Sequence, residues 1–218
     1  MTREQLQDLQ AIGNLLHSVL TLYPTSALLQ SFKTNELTAN WPLLSHSDNE
    51  TIGLQHLATY LEQWQEDEQA LVQLKLDYGQ LFYGPGTPVA PPWGSVYLSQ
   101  AQLLNDASTM ALKSFYTRYH LQVDMTSNEP LDHIGLLMAV LAFLLGKLSD
   151  EPTNRNLKNI ISILLAEHLL PWADRCLELA QQHAHTGYFK GFSLLGREYL
   201  FYVARYFGAF PKNLTLYR

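Results

Sequence analysis

The chain has one cysteine, Cys176, among 218 residues, so no internal disulfide framework can form. Charge is scarce as well. Asp, Glu, Lys and Arg make up 16% of the residues and the formal net charge is −6. That balance argues against nonspecific nucleic-acid binding, which sets Lys and Arg against phosphate, and it suits a cationic peptide partner. No long apolar run is present. The longest, Leu136 to Leu145, is about half of what a bilayer span needs. The start, "MTREQLQDLQAIGNLLHSVL", mixes acids with apolar residues and does not read as a signal peptide. The expectation is a cytoplasmic protein without a transmembrane segment.

The motifs of common chemistries are missing too. There is no GxxxxGK[ST] loop, no HExxH and no paired-cysteine zinc site. "GPG" at 84–86 is a poor phosphate cradle, because Pro85 removes a backbone donor. His183 and His185 alternate in a polar stretch and read as solvated linker residues. His168 reads as structural, and Cys176, in the helical stretch "ADRCLELA", reads as a packing residue. No metal, cofactor or catalytic residue is expected. An enzyme using Asp132 and His133 as acid and base, or a nucleotide-binding enzyme, is the weaker alternative.

What the chain does have is apolar residues, 47% of the total, enough for a core without staples. Leu6, Leu9, Ile12, Leu16 and Val19 recur at spacings of three and four, the pattern of an amphipathic helix over 3–20. "PTSALLQSF" starts a second helix, "NWPLLSHSDNE" is a loop, and 52–82 reads as a helical pair. Ser99 with Gln102 forms a capping box that opens a helix to about Tyr119. A helix with Pro130 in its first turn runs to about Leu148. Segments 154–169 and 172–184 follow, with Pro171 as a restart, and then an aromatic helix over 187–207 that could be core or interface. No period-two pattern is sustained. The expected fold is all-α, a single globular domain over 1–218 of roughly eight to ten helices.

Two stretches do not fit a plain bundle. "LFYGPGTPVAPPWGSVYLSQ" (81–100) packs three glycines and four prolines within a dozen positions, together with Phe82, Tyr83, Trp93 and Tyr97. Long loops with apolar content are often functional, and prolines fix their shape. An ordered loop over 83–98 could wall a ligand groove or simply cover the helices. "NEPLDH" (128–133) gathers Glu129, Asp132 and His133 before an apolar run. Asn128 or Glu129 could cap that helix, with the acids offsetting its positive end. His133 fits a helix start less well. Helix start and functional site both remain open for this stretch.

Together these stretches resemble the TorD/DmsD family of maturation chaperones for molybdenum-containing reductases. The likeness rests on the helix ending in "LF", the Gly-Pro start, "PPWGSVYL" and "NEPLDH", and "LLPWADRCLELA" and "WPL" (41–43) extend it. "PPWGSV" is nearer the DmsD branch. The resemblance implies a chaperone, not an enzyme, that binds the twin-arginine leader of a reductase of the dimethyl-sulfoxide reductase type and delays export until the molybdenum cofactor is inserted. A client of the trimethylamine-oxide or nitrate reductase type is the alternative within the superfamily. Leader binding carries over to Leu81, Phe82, Pro91, Pro92, Trp93, Gly94, Ser95, Glu129, Pro130, Asp132 and His133. Further implied partners are the translocase or the cofactor-insertion machinery, with the chaperone as monomer or homodimer. The family often has a tryptophan after the first Gly-Pro where this chain has Gly86, so leader selectivity stays open.

Overall fold

The computed structural model describes residues 1–65, 67–122 and 129–218. Among them every regular element is helical, and the one β feature is an isolated antiparallel bridge between Trp93 and His133. The helices are α1 (Arg3–Thr21), α2 (Ser26–Thr34), α3 (Asp48–Gln63), α4 (Glu68–Tyr78), α5 (Gly94–Leu98), α6 (Ala107–Arg118), α7 (Ile134–Asp150), α8 (Arg155–Ile163), α9 (Leu170–His183) and α10 (Gly187–Phe207). π-helical turns occupy Gly79–Tyr83 and Leu164–Leu169. Among the described residues no helix is long and apolar enough to cross a membrane. The chain forms two compact units: 1–21, 92–174 and 203–218 in the first, 22–91 and 175–202 in the second.

In the first unit α1 packs along α7. The face of α1 read from the sequence, Leu6, Leu9, Ile12, Leu16 and Val19, is buried throughout. Helix α7 is apolar on nearly every side, which suits a helix surrounded by others. Ile134, Leu137, Leu141, Leu144, Leu145 and Leu148 are inaccessible or nearly so. Gly146 lets α1 come close, since a Cβ there would lie 2.5 Å from Gln10 Nε2.

The second unit is built around aromatic rings. Phe32, Tyr78, Phe82, Tyr188, Phe189 and Phe192 are buried in mutual contact. Two buried carboxylates organise its loops. Glu50 accepts from the amides of Leu44 (2.7 Å), Ser45 (3.1 Å) and His46 (2.8 Å), which shapes the "WPLLSHS" loop. Asp77 accepts from the amides of His185 and Thr186 and from the Thr186 hydroxyl, which fixes the "HTG" break before α10. His183 and His185 are exposed, as read. Buried carboxylates of this kind are tolerated because each oxygen meets donors.

Side-chain caps start the helices, with Thr25, Ser47, Asp67 and Asn154 accepting from amides two or three residues ahead. Four expectations need correction. The capping box at Ser99 does not form: the Ser99 amide bonds the Ser95 carbonyl, and the Gln102 side chain bonds the Tyr217 carbonyl. Gln102 and Asn105 adopt positive φ, and Asp106 caps α6, which starts only at Ala107. Part of the expected non-helical loop, Gly94–Leu98, is a helical turn. Pro130 precedes α7 instead of sitting in its first turn: the His133 amide bonds the Pro130 carbonyl, and α7 begins at Ile134. Asn128, a possible cap, lies outside the described residues.

Pro171 does not restart the chain. It has no amide hydrogen, and the π turn before it shifts the bonding so that the Leu170 amide reaches the Leu165 carbonyl, five residues back. The Gly84 amide likewise reaches Gly79, 2.6 Å away, just before Pro85.

Leu141, fully buried in α7, tests the core assignment. Leu141→Ala is expected to lower stability by about 2–5 kcal/mol in urea unfolding, and a wild-type midpoint would show that α7 is not central.

Candidate functional site

The two stretches singled out in the sequence meet within the first unit. The Gly94 amide donates to the Asp132 carbonyl (3.1 Å) and the Ile134 amide to the Pro92 carbonyl (2.7 Å), so 92–94 and 132–134 run antiparallel. Trp93 Nε1 donates to Glu129 Oε2 at 3.0 Å, and the Trp93 and His133 rings meet edge to face, 6.2 Å between centroids. The Ser95 amide donates to Asp132 Oδ2 at 2.6 Å. Asp132 thereby caps α5, a helix remote in sequence, with its charge at the positive end.

His133 caps its own helix. Its Nδ1 accepts from the Gly135 amide at 3.0 Å, which requires that nitrogen unprotonated. Burial, and then the charge of His17, lower its pKa to about 4. His17 Nδ1 itself lies 2.8 Å from the Gly135 carbonyl. Near neutral pH His133 is a neutral acceptor.

Of the expected residues, Pro92, Trp93, Gly94, Ser95, Glu129, Pro130, Asp132 and His133 belong to this first-unit assembly. Trp93, Glu129 and Pro130 are half-buried, whereas Asp132 and His133 are each 3% exposed. Leu81, Phe82 and Pro91 belong to the second unit. Leu81 and Phe82 are buried, with Phe82 against the rings of Tyr78 and Phe189. The buried Pro91 offers its carbonyl to the Cys176 thiol at 3.4 Å.

A cavity of about 130 Å³ adjoins the assembly, lined by Gly94, Leu98, Ser108, Ala111, Leu112, Asp132, Glu167, His168, Trp172, Lys212 and Leu214. Two polar atoms among its lining residues are buried without a hydrogen-bond partner, Asp132 Oδ1 and Ser108 Oγ. Trp172 forms one wall. Its ring stacks on Tyr97, 5.5 Å between centroids, and its Nε1 donates to the His168 carbonyl at 2.8 Å. Gly94 has to be glycine here, because a Cβ would sit 2.6 Å from the Trp172 Nε1. Burial, reinforced by the charge of Lys212 and opposed by that of Glu167, lowers the His168 pKa. Burial, with the charge of Asp132, pushes the Tyr116 hydroxyl up.

Chemically this is a buried carboxylate beside a cavity that mixes apolar walls (Leu98, Leu112, Trp172, Leu214) with Ser108, Glu167, His168 and Lys212, and its open oxygen suits a cationic donor. Among the described residues no group of three or more His, Cys, Asp and Glu could hold a metal ion. Ser108, Trp172, Lys212 and Leu214 did not stand out as site residues in the sequence. The i,i+4 spacing of His168 and Trp172 was the available signal, since it puts both on one helical face.

His133 makes stability pH-dependent. Its folded pKa is about 4 against about 6.5 when unfolded, so the unfolded chain takes up the proton first as pH falls. Stability is full above about pH 6.5, declines toward pH 4 by about 2–4 kcal/mol, and then levels from this residue. In His133→Asn, which keeps a capping acceptor, the slope of stability between pH 7 and 4 should flatten. An unchanged slope would assign the pH dependence to other groups.

Comparison with known proteins covers most of the chain. Residues 47–178 match the nitrate reductase delta subunit family. The Tat proofreading chaperone DmsD of Salmonella typhimurium is 29% identical over 86% of this chain and 83% of its own length. The probable Tat proofreading chaperone DmsD of Haemophilus influenzae is 26% identical, over 87% of each chain. The chaperone protein TorD of Aliivibrio salmonicida is 25% identical over 76% of this chain and 78% of its own. With more than half of its length under the family pattern and the paired motifs in place, this chain belongs to the nitrate reductase delta subunit family and is a DmsD-like member of the TorD/DmsD chaperones.

Proposed function

We propose that this chain is a cytoplasmic maturation chaperone, not an enzyme. In this reading it binds the twin-arginine leader of a molybdenum-containing reductase of the dimethyl-sulfoxide reductase type and delays export until the cofactor is inserted. The names of its relatives, Tat proofreading chaperone and chaperone protein, support the class of function. The observation that carries the reading here is Asp132. One of its oxygens is engaged by the Ser95 amide, while the other is buried, has no partner among the described residues and lies beside a cavity with both apolar and polar walls.

A leader of this kind presents two arginines followed by an apolar stretch. A guanidinium supplies the donor that Asp132 Oδ1 lacks, and apolar walls such as Leu98, Leu112 and Trp172 suit its stem. Trp93, half-buried with its indole fixed by Glu129, offers a rigid surface beside that point. The residues proposed for leader contact are Pro92, Trp93, Gly94, Ser95, Glu129, Pro130, Asp132 and His133 in the first unit; Leu81, Phe82 and Pro91, which the resemblance also implied, are buried in the second unit and are not proposed as contacts. We take 1–218 to work as one chaperone domain. A client of the trimethylamine-oxide or nitrate reductase type, the alternative within the superfamily that the sequence resembles, is the second reading, and co-purification of the bound subunit decides between them.

Asp132→Asn retains an oxygen for the Ser95 amide and removes the charge. It is expected to weaken leader binding by about 1–3 kcal/mol in titration calorimetry, less at higher salt. A leader with both arginines changed to glutamine should bind wild type and Asp132→Asn nearly alike. The coupling energy from this double-mutant cycle is the test, and a value of zero with intact affinity returns "EPLDH" to a purely structural role. Trp93→Ala should reduce leader affinity more than it reduces the melting temperature.

A further inference from the structure

The cavity beside Asp132 has a cover that belongs to the chain itself. After α10 the segment 209–218 carries no regular structure. Hydrogen bonds hold it against the first unit: the Lys212 amide to the Ala166 carbonyl (2.8 Å), the Tyr217 amide to the Tyr97 carbonyl (2.9 Å), and Gln102 Nε2 to the Tyr217 carbonyl (2.7 Å). Between those ties Lys212 and Leu214 line the cavity. The charge of Lys212 is felt at His168, on the same cavity wall.

The order of chemistry in this segment matters. "PKNLTLYR" sets a basic residue, Lys212, ahead of Leu214, Leu216 and Tyr217. It lies unwound and bonds main-chain carbonyls, which is how an extended peptide docks irrespective of its sequence. Leu214, Leu216 and Tyr217 nonetheless stay about 40% exposed. Segments with exposed hydrogen bonds and little buried apolar area open at low free-energy cost. Among the described residues Asp132 Oδ1 lacks a partner; it belongs to a residue that is 3% exposed and lines the same cavity as Lys212 and Leu214.

We propose that the segment Pro211–Arg218 is a displaceable strap. It closes a socket sized for a single side chain beside Asp132, and a basic-then-apolar peptide binds by lifting it and placing a guanidinium on Asp132 Oδ1. The proposal rests on the leader-binding reading and adds regulation to it: the resting chaperone carries a weak internal competitor. Such a competitor lowers the apparent affinity by the fraction of time that the socket is open, about tenfold if it is open one time in ten. It also favours peptides that match both the basic and the apolar part, since a loose apolar chain cannot repay the loss of the strap.

The test measures binding of a fluorescent twin-arginine leader peptide by anisotropy to three proteins: the full chain, the chain ended at Phe210, and full-length Leu214→Ser. Circular dichroism melting checks that each is folded. The shortened chain should bind about tenfold tighter with faster association, and Leu214→Ser should shift the same way by a smaller factor. A synthetic peptide of residues 211–218 should compete with the leader on the shortened chain, and compete less well when it carries K212A. If the shortened chain does not fold, the direction of the Leu214→Ser shift decides. Equal or weaker affinity in the variants overturns the strap and leaves the leader reading standing. A leader that binds none of the three removes the leader reading, and the strap with it.

Discussion

The hydrogen bond from the Ser95 amide to the buried Asp132 carboxylate is the contact on which the first unit's candidate site depends. A carboxylate out of water is costly unless donors meet it, and a 2.6 Å charge-assisted bond from a helix N-terminus is a strong compensation. The backbone bonds on either side, Gly94 to Asp132 and Ile134 to Pro92, hold both segments in the register which that contact requires. From there the rest follows locally. The α5 turn begins where Asp132 caps it, Trp93 comes within reach of Glu129, and His133 is left at the start of α7 to cap it as a neutral imidazole.

Asp132 divides its two oxygens. Oδ2 is structural, and Oδ1 has no donor among the described residues. Residue types suggest that the acids before the apolar helix cap that helix. Asp132 serves a different helix, and it does so with one oxygen only. A residue placed this way can be necessary for folding and still be the recognition point, and substitutions that keep one oxygen separate the two roles.

The proline-rich stretch obtains its shape by a mechanism found twice in the chain. At Gly79–Tyr83 and at Leu164–Leu169 a π turn precedes a proline, and the amide before the ring reaches five residues back. Each widened turn carries the backbone bonding up to the residue before the proline, which has no amide hydrogen to give. After the first of them, the Val89 and Ala90 amides return to the carbonyls of Gln80 and Leu81, which folds the loop onto the turn it came from. The stiffness of 84–92 thus has two sources, proline φ restriction and backbone pairing.

The sequence alone determined the all-α class, most helix boundaries, the buried face of α1 and the burial of α7, because those depend on apolar spacing along one segment. It also marked "PPWGS" and "EPLDH" as unusual, through residue types that a plain bundle does not need. Helix starts governed by long-range partners were not legible. Gln102 leaves its local capping role for the Tyr217 carbonyl, more than a hundred residues away, and α7 begins at Ile134 because the Ile134 amide pairs with the Pro92 carbonyl. Only the tertiary structure decided that the two marked stretches lie side by side, that Leu81 and Phe82 are core residues of the second unit, and that Trp172, Ser108 and Lys212 share a cavity with Asp132. Those juxtapositions join segments far apart in the chain, and periodicity within a segment carries no information about which distant donor a buried carboxylate will find.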